Sequence, residues 1–147
     1  MKAKQYLAQI EKLDAKIQNK MAEIEHWRAV ALGITPSAEG ERVQTSGSKQ
    51  KMSDAIDRLV DIEKEIDRIV DDLVDTKQKI IRTIEQLSAI EYDVLHKRYI
   101  QGMTFDEIGA VKGKSKSWAT TIHGRALQSL QKILDEREQA EQQQENL

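Results

Sequence analysis

One pattern governs what this chain can fold into: from Tyr6 onward its apolar residues return at steps of three and four, and nowhere alternate. That rhythm belongs to amphipathic helices and leaves no strand-forming stretch. The chain has 147 residues with one proline, 4% aromatic and 33% charged residues. Such a composition suits long solvated helices with narrow apolar seams, not a large globular core. The expected fold is all-α, with a long N-terminal helical hairpin or coiled coil and a small C-terminal domain.

The first helix is expected over residues 1–33. Its seam runs through Tyr6, Ile10, Leu13, Ile17, Ile24, Trp27 and Ala31, with Lys20 standing where an apolar residue is due. Gly33 supplies a stop, and Pro36 follows. Residues 34–52 read as a flexible loop rich in Ser, Thr, Gly and Glu, and Ser53 or Asp54 can cap the next helix.

That second helix is expected over 53–87. Its seam is Ile56, Leu59, Ile62 or Glu63, Ile66, Val70, Leu73, Ile80, Ile84 and Leu87, and its outer face is acidic. Neither helix can bury its seam alone. The two pair within the chain or across a homo-oligomer, and the pattern leaves both open.

Texture changes at residue 88. Ser88 to Glu91 and Thr104 to Glu107 each have capping-box spacing, in which a hydroxyl accepts from the N–H three residues on and a carboxylate reaches back. The first opens a short helix holding Val94, Leu95, Tyr99 and Ile100, closed by Gly102. The second presents Phe105, Ile108, Gly109 and Val111 to a core. Gly113 supplies a turn, and Ser115 caps a longer helix whose buried face is Ala119, Ile122, Ala126, Leu127, Leu130 and either Ile133 or Leu134. Residues 88–134 therefore read as a helix-turn-helix domain, followed by an acidic, Gln-rich tail over 135–147.

The face of the third helix opposite its core is the candidate DNA-reading face. Helical geometry sets Lys116, Ser117, Thr120 and Thr121 there, with Lys114 and Ser115 at the entry and Trp118 beside them, placed either to contact DNA or to join the core. Arg125 lies further along, and His123 stands to meet phosphate or to face solvent. Double-stranded DNA is the expected partner. The net charge of the chain is only −2, but residues 88–134 carry seven bases against four acids. Binding by a lone monomer is therefore expected to be weak and salt-sensitive.

Catalysis finds no support: there is no nucleophile–base set and no phosphate loop. His26, His96 and His123 are scattered on separate helices, so no metal site and no cofactor are expected. No cysteine is present and no run is long and apolar enough to span a membrane, so a cytoplasmic protein is expected.

Several strings carry a family resemblance. Val94 to Tyr99, Met103 to Gly109, Lys114-Ser115 and His123 to Leu130 together resemble region four of bacterial sigma factors. The whole pattern further resembles small phage-encoded regulators of the ArpU type, including the loop Glu39-Gly-Glu-Arg-Val-Gln-Thr-Ser-Gly47. The resemblance implies a phage or prophage origin and control of late transcription from promoter DNA in a bacterial host; the protein is expected to act as a homo-oligomer, with the coiled coil mediating oligomerisation or contact with RNA polymerase. The reading face is less basic than the sigma pattern and adds Trp118, which points away from a standard minus-35 element. No segment resembles the sigma domain that melts promoters.

Overall fold

The computed structural model describes residues 1–34 and 46–147. The loop residues 35–45, with Pro36 and most of the Glu39–Gly47 string, lie outside the described residues. Among the described residues five α-helices follow one another: α1 (Ala3–Ala31), α2 (Ser46–Ile84), α3 (Ala89–Leu95), α4 (Phe105–Val111) and α5 (Lys116–Glu145). A single π-helical turn (His96–Ile100) extends α3. No strand occurs among the described residues, and none of the described helices is long and apolar enough to cross a membrane.

Local chemistry sets the helix ends. Gly33 takes φ +71°, and the Ile34 N–H donates to the Ala29 carbonyl at 2.8 Å, which stops α1. The start of α2 differs from expectation. It begins at Ser46, not at a cap on Ser53 or Asp54, so the expected 34–52 loop is shorter than residue chemistry implied. The run Lys49 to Met52 consists of good helix formers, and Gln50 donates to the Asp54 carboxylate at 2.9 Å, one turn along the helix. Asp54 thus supports a helix already under way.

The chain divides into two compact units, residues 13–73 and residues 1–12 with 74–147, and both α1 and α2 contribute to each. In the first unit the two helices run antiparallel. Lys20 bonds Glu65 at 2.8 Å, while Glu23, further along α1, meets Arg58, earlier on α2, at 3.8 Å. Ala55 and Ile62 are fully buried, and Leu59, Ile66 and Ile69 are half-buried. The working seam of α2 is therefore Ala55, Leu59, Ile62, Ile66, Ile69 and Leu73.

Two expected seam residues lie elsewhere, since Ile56 is 49% exposed and Val70 is 39% exposed. Small Ala55 lets the helices approach, and at Ala55-Ile56 and Ile69-Val70 two apolar residues stand side by side. The sequence anomaly at Lys20 is also resolved. Glu65 is bonded by Lys20 and by Arg58 (3.1 Å), and these contacts hold its carboxyl below the ordinary range; the Glu65 bond in turn raises the Lys20 ammonium.

In the second unit, the start of α1 joins the end of α2 and all of α3 to α5. Its core includes Leu7, Ile10, Ile84, Leu95, Ala126 and Leu130. Buried Thr83 donates to the Lys79 carbonyl at 2.9 Å, so the Tyr6 hydroxyl must be the donor in its 2.9 Å bond to Thr83. The Ala3 N–H donates to the Gln131 side chain at 2.8 Å, and the terminal ammonium meets Glu138. α5 runs unbroken to Glu145, which takes in the acidic tail.

Candidate nucleic-acid interface

Three hydroxyl caps build the site. Ser88 accepts from the Glu91 N–H (3.4 Å), Thr104 from the Glu107 N–H (3.2 Å) and Ser115 from the Trp118 N–H (3.0 Å). Each satisfies a donor that a helix start would otherwise leave free. The Glu91 carboxylate completes the first box by accepting from Ser88 (2.6 Å) and reaches across to Ser129 on α5 (2.6 Å). Burial opposes its charge, yet these bonds and the Arg125 charge hold Glu91 below the usual carboxylate range.

The turn before α5 is tight. Gly113 takes φ +67°, and the Lys114 N–H donates to the Gly109 carbonyl at 2.7 Å. A Cβ on Gly109 would lie 2.8 Å from the Ser115 carbonyl oxygen and 3.0 Å from that of Lys114. Glycine is thus required where α4 meets the cap of α5. Val94, Ile108, Ala119 and Ile122 form the buried cluster behind this turn. Val111, expected in the core, is instead 60% exposed, because the chain has already begun to turn away.

The candidate DNA residues divide into groups. Lys114, Ser115, Lys116, Ser117, Thr120, Thr121 and Arg125 are exposed. With Ala119, Ile122 and Ala126 buried, the 100° step per residue sets Ser117, Thr120 and Thr121 opposite the core and Lys116 at its edge. Thr120 and Thr121 both donate to the Ser117 carbonyl at 2.9 Å. Their hydroxyl protons are thus engaged, and each oxygen keeps its acceptor capacity. Arg125 sits to one flank, where its charge acts on Glu91.

Trp118 and His123 are less available. Trp118 is half-buried and packs against the Val94–Ile108–Ala119–Ile122 cluster. His123 was expected to meet phosphate or solvent, but its ring turns inward. Its Nε2 lies 2.7 Å from the Tyr99 hydroxyl, and its ring meets the edge of Phe105 at 5.0 Å. Arg98 covers the Phe105 ring at 4.8 Å and donates to the Met103 carbonyl.

Burial lowers the His123 pKa and raises that of Tyr99. Because its folded pKa lies below the ordinary value of 6.5, His123 contributes stability that is present above pH 6.5 and lost as pH falls through the lowered pKa. Thermal melts are expected to shift down between pH 7 and 5, and by less in His123→Gln; an NMR titration midpoint at or above 6.5 would contradict this.

Two features escaped sequence reasoning. Asp93 bonds Lys97 (2.6 Å) and Lys112, and although burial opposes its charge these cations hold its pKa down. Two of the seven bases are therefore already paired, which leaves exposed unpaired charge on Lys114, Lys116, Arg125 and Lys132. The second is Gly124, exposed on the same outward face, where an added Cβ would meet nothing within 4 Å. Glycine inside a helix costs about 1 kcal/mol relative to alanine, and that penalty is the signal that could have found it.

Among the described residues no cluster of three His, Asp or Glu side chains could hold a metal ion. Comparison of the chain with curated proteins and with solved structures gives no match. Residues 83–132, about a third of the chain, match the family model for sigma-70, region 4. The segment that carries the three caps and the outward face of α5 is thus similar to the DNA-binding helix-turn-helix of that family.

Proposed function

We propose that this protein is a transcriptional regulator of phage or prophage origin that binds promoter DNA through the first turns of α5. The observation that carries this reading is the cluster of Lys116, Ser117, Thr120 and Thr121, exposed together on the outward side of a helix capped by Ser115. A helix entering a major groove leads with these turns. Lys116 reaches guanine or phosphate, the threonine oxygens accept from exocyclic amino groups, and the free N–H groups at the helix start favour phosphate. Lys114 and Arg125 supply backbone contacts at either end. His123 positions Tyr99 and Phe105 behind the face, and Trp118 anchors the helix to its core.

Gly124 leaves bare backbone on this face, which suits close approach of a DNA strand. Gly124→Ala is expected to stabilise α5 by about 0.5–1 kcal/mol and yet weaken DNA binding. Tighter binding by the variant would remove this role. The long helices α1 and α2 serve as the partner-binding part, and the protein acts in the cytoplasm of the host cell.

The test is an electrophoretic shift on duplex DNA from the late-promoter region of the phage that encodes the chain. Lys116→Ala and Thr120→Ala are each expected to weaken the specific complex, and unchanged binding in both would remove the assigned face. A second reading, docking on RNA polymerase without DNA contact, draws support from the modest positive charge left after Asp93 is paired. Capture of polymerase by a chain with no salt-dependent duplex affinity would select it.

A further inference from the structure

The helix α2 carries a second seam. Ile56, Val60, Glu63, Asp67 and Val70 follow at steps of four, three, four and three, with Met52 four residues earlier. This row lies one residue beyond the seam buried against α1, about 100° round the helix. Among the described residues nothing covers it: Met52, Ile56, Val60 and Val70 are 49, 49, 45 and 39% exposed. Scattered apolar residues on a surface need no explanation, but a row at heptad spacing on a helix already paired on another side has the form of a second helix-binding face.

Charge decides what can occupy it. Glu63 and Asp67 occupy the middle of the row and are exposed. Between Asp57 and Asp72 the exposed acids are Asp57, Asp61, Glu63, Asp67, Asp71 and Asp72, against Lys64 and Arg68; Arg58 already serves Glu65. A second copy of the same face, parallel or antiparallel, would bring Glu63 and Asp67 against the carboxylates of its twin. Like charges juxtaposed in an interface are strongly disfavoured and suppress that pairing.

We infer that this face of α2 binds a cationic amphipathic helix of another protein, and not a second copy of this chain. The partner helix would set apolar residues at four-three spacing against Ile56, Val60 and Val70, and lysine or arginine against Glu63 and Asp67. The assignment does not rest on the DNA reading, so each stands or falls separately.

The test uses the full chain and two synthetic helical peptides. Both carry leucine at four-three spacing; one has lysine and the other glutamate at the two central seam positions. By fluorescence anisotropy, the chain is expected to bind the lysine peptide about tenfold or more tightly than its twin. Glu63→Lys with Asp67→Lys is expected to reverse the preference. Ile56→Asp, at an exposed position, is expected to abolish binding while leaving helicity and the duplex DNA shift unchanged. Equal binding of the two peptides, or binding of neither, would overturn the proposal. So would a dimer in sedimentation that Ile56→Asp or Val70→Asp dissociates.

Discussion

Gly109→Ala is expected to cost about 1–3 kcal/mol of stability, the usual penalty for forcing a methyl into a packed site. The new Cβ would meet the Ser115 carbonyl oxygen at 2.8 Å and its carbon at 2.9 Å. These are backbone atoms, so no flexible side chain can give way. The residue that would have to move is the one whose hydroxyl caps α5, and its displacement endangers the 3.0 Å bond from the Trp118 N–H. The 2.7 Å closure of Lys114 onto the Gly109 carbonyl would loosen as well. Thermal denaturation is expected to fall by several degrees, and DNA affinity is expected to fall more than the surviving folded fraction accounts for. A variant with wild-type melting would show that α4 and α5 are not held as described.

The second large effect is electrostatic. The triple variant Lys114→Ala, Lys116→Ala, Arg125→Ala removes three of the four exposed cations of residues 88–134 that have no ion pair among the described residues, and leaves Lys132. On the proposed face each engages phosphate or a base edge. Loss of three such contacts is expected to lower duplex affinity by about two or more orders of magnitude at low salt, and to flatten the salt dependence by up to about three units of slope. The melting temperature is expected to stay near that of the parent, since all three side chains are exposed. A control that removes Lys97 and Lys112, which face Asp93, is expected to lose stability and little of the salt slope.

These effects divide along the same line that separates what residues show locally from what only packing reveals. The caps on Ser88, Thr104 and Ser115, and the stops at Gly33 and Gly113, were legible because each depends on neighbours within a few residues. The buried face of α5 was legible for the same reason, through the 3.6-residue period of Ala119, Ile122, Ala126 and Leu130. The seam of α2 was misread at Ile56 and Val70, each next to the apolar residue that is more buried; bulk favours Ile56 over Ala55, whereas Ile69 and Val70 are both apolar and β-branched and the pattern alone does not choose between them. Contact with α1 instead selects Ala55 and Ile69.

His123 misleads differently. Nothing nearby in sequence shows that Tyr99 and Phe105 will converge on it, and a π turn of i to i+5 bonds, with Gln101 donating to the His96 carbonyl at 3.0 Å, helps present Tyr99. The pairing of Asp93 with Lys112 is likewise a product of the fold, and it alters the charge count on which the first estimate of DNA affinity rested.

On the proposed reading, the first turns of α5 contact duplex DNA. Titrating the labelled full chain with promoter duplex and following backbone amide shifts by NMR tests it most directly. The expected result is a saturable set of shifts confined to Lys114 through Gly124 and Arg125, with α2 from Met52 to Val70 unmoved. Shifts centred on α2, or none that saturate, would contradict it.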